Sequence, residues 1–319
     1  MTTAGSMPPI PISGAADKSA GGGRIAILAA LVANLGIAVA KFVAWSVTGS
    51  SAMLSEGVHS LADSGNEVLL LVGGHRANRV PDAGHEFGYA SSRYLYAFIV
   101  SVVLFTFGGA FAAYEGWHRL THPTAVTDVG WGVGVLLVAI LLESGSLRTA
   151  LHESRADRAG LGFVAYLRQA RHPELPVVLL EDLAALTGLG IALLGLTLAS
   201  ATKDARWDGA SSLAIGALLV LVAGWLAVRM GSLLVGESVL PAQRITIIAA
   251  LREEPSVLDV IHLRSLHLGP DEVLVAVKIA VDPALPAGEL AAAIDRAEVR
   301  VRAVLPTARY VFIEPDLTR

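Results

Sequence analysis

The sequence predicts a membrane-embedded α-helical protein, with six transmembrane helices followed by a C-terminal αββαβ domain in the cytosol. Three observations carry this. The 319 residues are 54% hydrophobic and only 16% charged, where a soluble domain has about a quarter charged. Six stretches reach the roughly 20 apolar residues that a helix needs to cross the hydrocarbon core. After Gly236 the continuous apolar pattern gives way to short amphipathic segments.

Residues 1–23 are rich in Pro, Gly, Ser and Ala and read as a disordered cytosolic tail, not a cleaved leader. With Asp17 and no arginine before Arg24, they also lack the character of a mitochondrial presequence. The expected spans are 24–47, 51–74, 94–117, 128–150, 177–199 and 209–234, which together form a membrane domain over 24–236. The second is polar enough to require burial within the bundle. The sixth opens on Asp208, a residue suited to capping its own helix. A short helix is expected near 162–169. Within the cytosolic domain, 237–319, helices are expected at 241–254 and 287–304. Strands are expected at 260–268, 273–282 and 309–314, giving an open sheet with helices on one face.

Lys and Arg set the orientation. The tail and the connections expected to share its side carry ten, among them Arg76, Arg79, Arg93, Arg148, Arg155, Arg168 and Arg171. The opposite connections carry only Arg119, Lys203 and Arg206. Both termini are therefore placed in the cytoplasm, in a prokaryotic plasma membrane.

Composition also excludes function classes. There is no cysteine, so disulfides and thiolate ligands are absent and any metal must bind His, carboxylate, amide, carbonyl or water. Residues 237–319 hold 9 Lys/Arg against 12 Asp/Glu, which argues against nucleic-acid binding. No Gly-rich nucleotide fingerprint follows a strand and opens a helix, and no catalytic constellation stands out. An enzyme is not expected, nor is a prosthetic group.

The chemistry concentrates in Ser55–Glu67. At 100° per residue, Glu56, His59, Asp63, Asn66 and Glu67 fall within roughly a 100° arc. His59 and Asp63, four apart, stack on one face and can share an ion. Such a stripe inside a span must face protein or water, and ionisable groups there mark a transport pathway more often than a passive network. Glu143 in the fourth span and Glu181-Asp182 in the fifth are expected at a similar depth, so they can close a His-plus-carboxylate cage. Glu181 and Asp182 can alternatively complement the helix dipole. Lys41 either pairs with one of these acids or snorkels, and Asn34 is read as structural.

These residues resemble the cation diffusion facilitator family, zinc-type efflux transporters that exchange a metal ion for protons. The likeness lies in His59 and Asp63, in Pro81–Tyr89, in Glu143-Ser144-Gly145 and in Val178–Asp182 with the linker before it. The last two are similar to the branch containing the animal mitochondrial zinc transporter. The resemblance implies a homodimer paired through a ferredoxin-like αββαβ domain. It also implies a transported ion, Zn2+ or else Mn2+, Fe2+ or Co2+, held by His59, Asp63 and Asp182. Val178 stands where the family has a histidine, so a fourth ligand comes from Glu143, Glu181 or water. Tyr89 replaces a histidine beside Asp82 and His85 in the loop. Val277 and Pro315 stand where relatives bind zinc in the cytosolic domain, leaving His262 alone. The rival readings are a membrane-anchored metal sensor or scaffold and a proton-independent divalent cation channel.

Overall fold

The structure is a computed structural model, and it describes residues 20–158 and 160–317. The expected tail, apart from its last residues, lies outside the described part. Helices α1 (Ala20–Thr48) and α2 (Ser51–Ala77) open the bundle. A third long helix follows in pieces: α3 (Ser92–Val103), a π-helical turn (Leu104–Ala110) and α4 (Phe111–Thr121). Then come α5 (Val129–Arg158), short α6 (Phe163–Gln169), α7 (Glu174–Thr202) and α8 (Arg206–Val235). Among the described residues four helical stretches are long and apolar enough to cross a membrane: Ser92–Thr121, Val129–Arg155, Glu174–Thr202 and Arg206–Val235. In α1 the described apolar stretch is the shorter Asn34–Thr48. Helix α2 has the length, but its polar stripe lowers its hydropathy.

Burial explains that stripe. Helix α2 packs between α1, α3, α7 and α8, and Ser55, Glu56, His59, Ser60, Ser64 and Asn66 are all buried. Pairs α4 and α8 approach closely because small residues face each other. A Cβ on Gly116 would lie 2.3 Å from the Leu213 nitrogen, and one on Gly216 would lie 2.4 Å from the Ala113 nitrogen.

Two expectations on helix ends need correction. Helix α5 continues to Arg158, eight residues beyond the expected end at 150, because polar residues end an apolar run without ending a helix. Helix α5 stops just short of Gly160, whose φ of +86° suits a glycine. Second, Asp208 does not cap its own helix. Its carboxylate accepts from the Ser51 backbone N–H at 2.6 Å, from the Ser51 hydroxyl at 2.8 Å and from the Ser50 hydroxyl, and so it caps α2 across the bundle.

Beyond Gly236 the order is α9 (Pro241–Arg252), β1 (Asp259–Gly269), β2 (Glu272–Ala280), α10 (Ala287–Val304) and β3 (Ala308–Asp316). The central strand β2 pairs antiparallel with β1 and parallel with β3. Alternate β2 residues Val273, Val275, Val277 and Ile279 are buried with Ile247 and Leu251 of α9 and Ala297 and Val301 of α10. Both helices therefore cover one face, as the αββαβ pattern predicts.

Candidate metal site in the helical bundle

Three helices place the acids. Asp63 and Glu67 come from α2, Glu143 and Ser146 from α5, and Val178, Glu181 and Asp182 from α7. With Asn34 and Ser60 they line one small cavity of about 40 Å³. Glu143 reaches it from about four turns above the end of α5, not two, because that helix runs long. Asp182 reaches it from about two turns into α7.

His59 lies against the acids. Its Nδ1 is 3.4 Å from Asp63 Oδ1, without the alignment of a hydrogen bond, and both ring nitrogens are buried with no hydrogen-bond partner. Asp63 Oδ1 is orphaned in the same way. The π-helical turn sits opposite: a Cβ on Gly108 would lie 3.7 Å from His59 Nδ1, an ordinary contact, and closer, at 3.2 Å, to Leu219. Such turns interrupt a helix at the cost of regular bonding and are frequent at functional sites.

The remaining acids differ in what already holds them. Asn66 Nδ2 donates to Glu181 Oε1 at 2.7 Å, and the Ser146 hydroxyl donates to Asp182 Oδ2 at 3.1 Å. Asn34 Nδ2 donates to Glu67 at 2.7 Å, a role consistent with the structural part expected of it. Lys41 is wholly buried and does not snorkel. Its ammonium donates to Glu56 Oε2 at 3.0 Å and to the Ser60 hydroxyl at 2.6 Å. That pair removes Glu56 from the acids facing the cavity. Among the described residues no three His, Asp or Glu side chains already stand at coordinating distance; the groups surround a space but do not converge on a point.

Sequence reasoning had placed Asn66 on the stripe but missed its bond to Glu181. It also missed Ser146, which stands three residues after Glu143 and so shares its face. The π-helical turn left no periodic signal.

In the loop, Asp82 accepts from the backbone of Gly84 and His85, each at 2.9 Å, and from the Tyr89 hydroxyl at 2.6 Å. The Tyr89 hydroxyl, ahead of those amides, holds the Asp82 carboxyl below its ordinary range. Tyr89 thus spends the carboxylate on closing a turn.

Residues 27–235 match the cation efflux transmembrane domain family. The chain is 34% identical over 255 residues to "Proton-coupled zinc antiporter SLC30A9, mitochondrial" of Xenopus laevis, covering 79% of this chain and 45% of that protein. The Homo sapiens protein of the same name is 32% identical with the same coverage. The chain thus spans about half the length of these curated relatives. They are mitochondrial by name, against the expectation of a prokaryotic plasma membrane. Among solved structures, a MamM CTD in its nickel form matches 25% of this chain and 100% of its own, at 20% identity and TM-score 0.24.

Proposed function

The chain belongs to the cation efflux family of membrane transporters, and we propose that it exchanges a divalent transition-metal ion, Zn2+ foremost, for protons. Six helices would span the membrane: α1, α2, the α3–α4 helix, α5, α7 and α8. Both termini and the β-sheet domain would lie on the cytoplasmic side, and a homodimer is the expected assembly. Membrane and cytosolic domains would divide near Gly236.

The observation that carries this reading is the meeting of Asp63, Glu143, Glu181 and Asp182 from three helices around one cavity, beside a His59 whose ring nitrogens have no hydrogen bond. An ion arriving from the cytoplasm would take His59, Asp63 and Asp182. Glu143, which has no hydrogen bond among the described residues, would complete the shell, with Glu181 steered by Asn66. Metal needs these groups deprotonated, so binding releases protons and protons from the far side expel the ion. The set is hard for zinc, being one imidazole and several carboxylates, which leaves Mn2+, Fe2+ and Co2+ as competitors. Alternating access about a site within the membrane is the general scheme for such exchange.

Proteoliposome uptake with a panel of divalent metals at two imposed pH gradients tests this. Uptake is expected to rise when the trans side is acid, and to vanish in folded His59→Ala and Asp63→Ala proteins. Flux indifferent to both gradients would instead favour a channel.

A further inference from the structure

A second cavity, about 380 Å³, lies outside the acid cluster, where the membrane helices meet the sheet domain. Its polar lining comes from Tyr166 and Gln169 on α6, Arg171 and His172 before α7, Gln243 on α9, His267 on β1 and Thr307 before β3. Among the described residues no acidic side chain lines it.

Two of these groups are incompletely used. Arg171 spends its terminal nitrogens on Glu237 and, at 3.1 Å, on the Ser238 carbonyl, while its Nε is buried without a partner. His267 is only 8% exposed. Its Nδ1 lies 3.4 Å from the Gly269 carbonyl, and its Nε2 is buried with no hydrogen bond. His172 completes the basic side, and its acid neighbour Asp271 sits at 3.4 Å outside the lining. Orphaned buried polar groups cost free energy until a partner reaches them.

We propose that this cavity binds a phosphate-bearing anion. The oxygens of a phosphate group can accept from the Arg171 Nε–H, from protonated imidazole and from the Thr307 hydroxyl together. Arginine and histidine are the chemistry that recognises phosphate, and here their acid partners, Glu237 on Arg171 and Asp271 on His172, stand outside the lining. Burial first, and then the charge of Arg171, push the His267 imidazole down to about 4; an anion beside it offsets the charge of Arg171. The height of the cavity also suits a phosphate. It sits at the start of α7 and beyond the end of α8, where a bilayer would present its headgroups, and Leu161 and Leu240 form an apolar flank. The phosphate therefore belongs either to an anionic lipid or to a soluble phosphate compound.

The test uses the full chain in neutral detergent. Binding is measured by native mass spectrometry and thermal shift with phosphatidylglycerol, with phosphatidylcholine and with inorganic phosphate. Arg171→Lys keeps the charge beside Glu237 but removes Nε, and His267→Leu removes the ring while keeping its bulk. One equivalent is expected to bind the wild type, and each variant to weaken it roughly fivefold, about one hydrogen bond's net contribution. Selective binding of phosphatidylglycerol assigns a lipid headgroup; binding of inorganic phosphate alone assigns a soluble compound. If His267→Leu fails to fold, Arg171→Lys still decides. The proposal is overturned if phosphatidylcholine binds as well as phosphatidylglycerol and phosphate does not bind, or if Arg171→Lys binds like wild type.

Discussion

Lys41 and Glu56 form an ion pair in which neither side chain has any solvent exposure. Breaking such a pair on one side leaves a buried charge alone and costs about 3–5 kcal/mol, whereas replacing both partners is often close to neutral. Lys41→Met is therefore expected to lower stability sharply, and Lys41→Met with Glu56→Gln to recover most of it, as read by thermal unfolding in detergent. Equal loss in both proteins would show that the ammonium does something other than balance Glu56. The acids around the cavity separate by the same logic. Glu181 already accepts from Asn66, while Glu143 is unengaged, so Glu143→Gln is expected to weaken metal binding about tenfold, near 1.4 kcal/mol. Glu181→Gln should cost less, because an amide can still meet Asn66. Titration calorimetry on the two variants decides between them, and the reverse order would make Glu181 the ligand. His59 and Asp63 could be placed on one face from helical spacing, and Asp182 was set beside them by its expected depth in the fifth span; all but His59 line the cavity. The hydrogen bonds that sort the acids were not legible, since they join residues as far apart as 66 and 181.

At the scale of elements, hydropathy located every helix of the bundle to within a few residues except at the end of α5. An apolar run reports the thickness of the bilayer, and the helix around it obeys a different rule, ending where the backbone can turn. Asp208 shows the other limit of local reading. Its place at the start of a helix suggested a cap for that helix, but the bundle brings the start of α2 beside it and its oxygens serve Ser50 and Ser51 instead. Asp208→Ala is accordingly expected to uncap α2 at a cost of about 1–2 kcal/mol. Hydrogen exchange should rise at the first turn of α2, with little change in α8. Faster exchange confined to α8 would mean that the carboxylate serves its own helix after all. The spacing of α4 and α8 was equally invisible, because Gly116 and Gly216 acquire their meaning only when the partner helix is in place.

Among the described residues the helical bundle and the sheet domain keep separate cores, with a small third cluster where α6 meets α5 and α7, and the sheet domain has no metal cluster of its own. Val277 lies in the core shared by the sheet and its helices and is 3% exposed. His262 is exposed and stands opposite Lys278 across the β1–β2 ladder. The nearby acids are occupied too: the Lys278 ammonium lies 2.7 Å from Asp316 and 3.2 Å from Glu314. A zinc ion there would have to displace an ammonium and find a second strong donor. Residues 237–319 are therefore expected to fold without metal around the apolar core of β2, α9 and α10. Added zinc stabilises only through a site that the folded state has and the unfolded chain lacks, so the thermal midpoint of the isolated domain should stay unmoved. Removing the domain should lower the dimer population and the transport rate but leave metal preference intact, since selection would reside with His59, Asp63 and Asp182. Calorimetry on the isolated domain is the decisive measurement. A stoichiometric zinc site of micromolar affinity would show that His262 acts together with a donor that Lys278 now screens, and metal sensing would then have to be shared between the two halves of the chain.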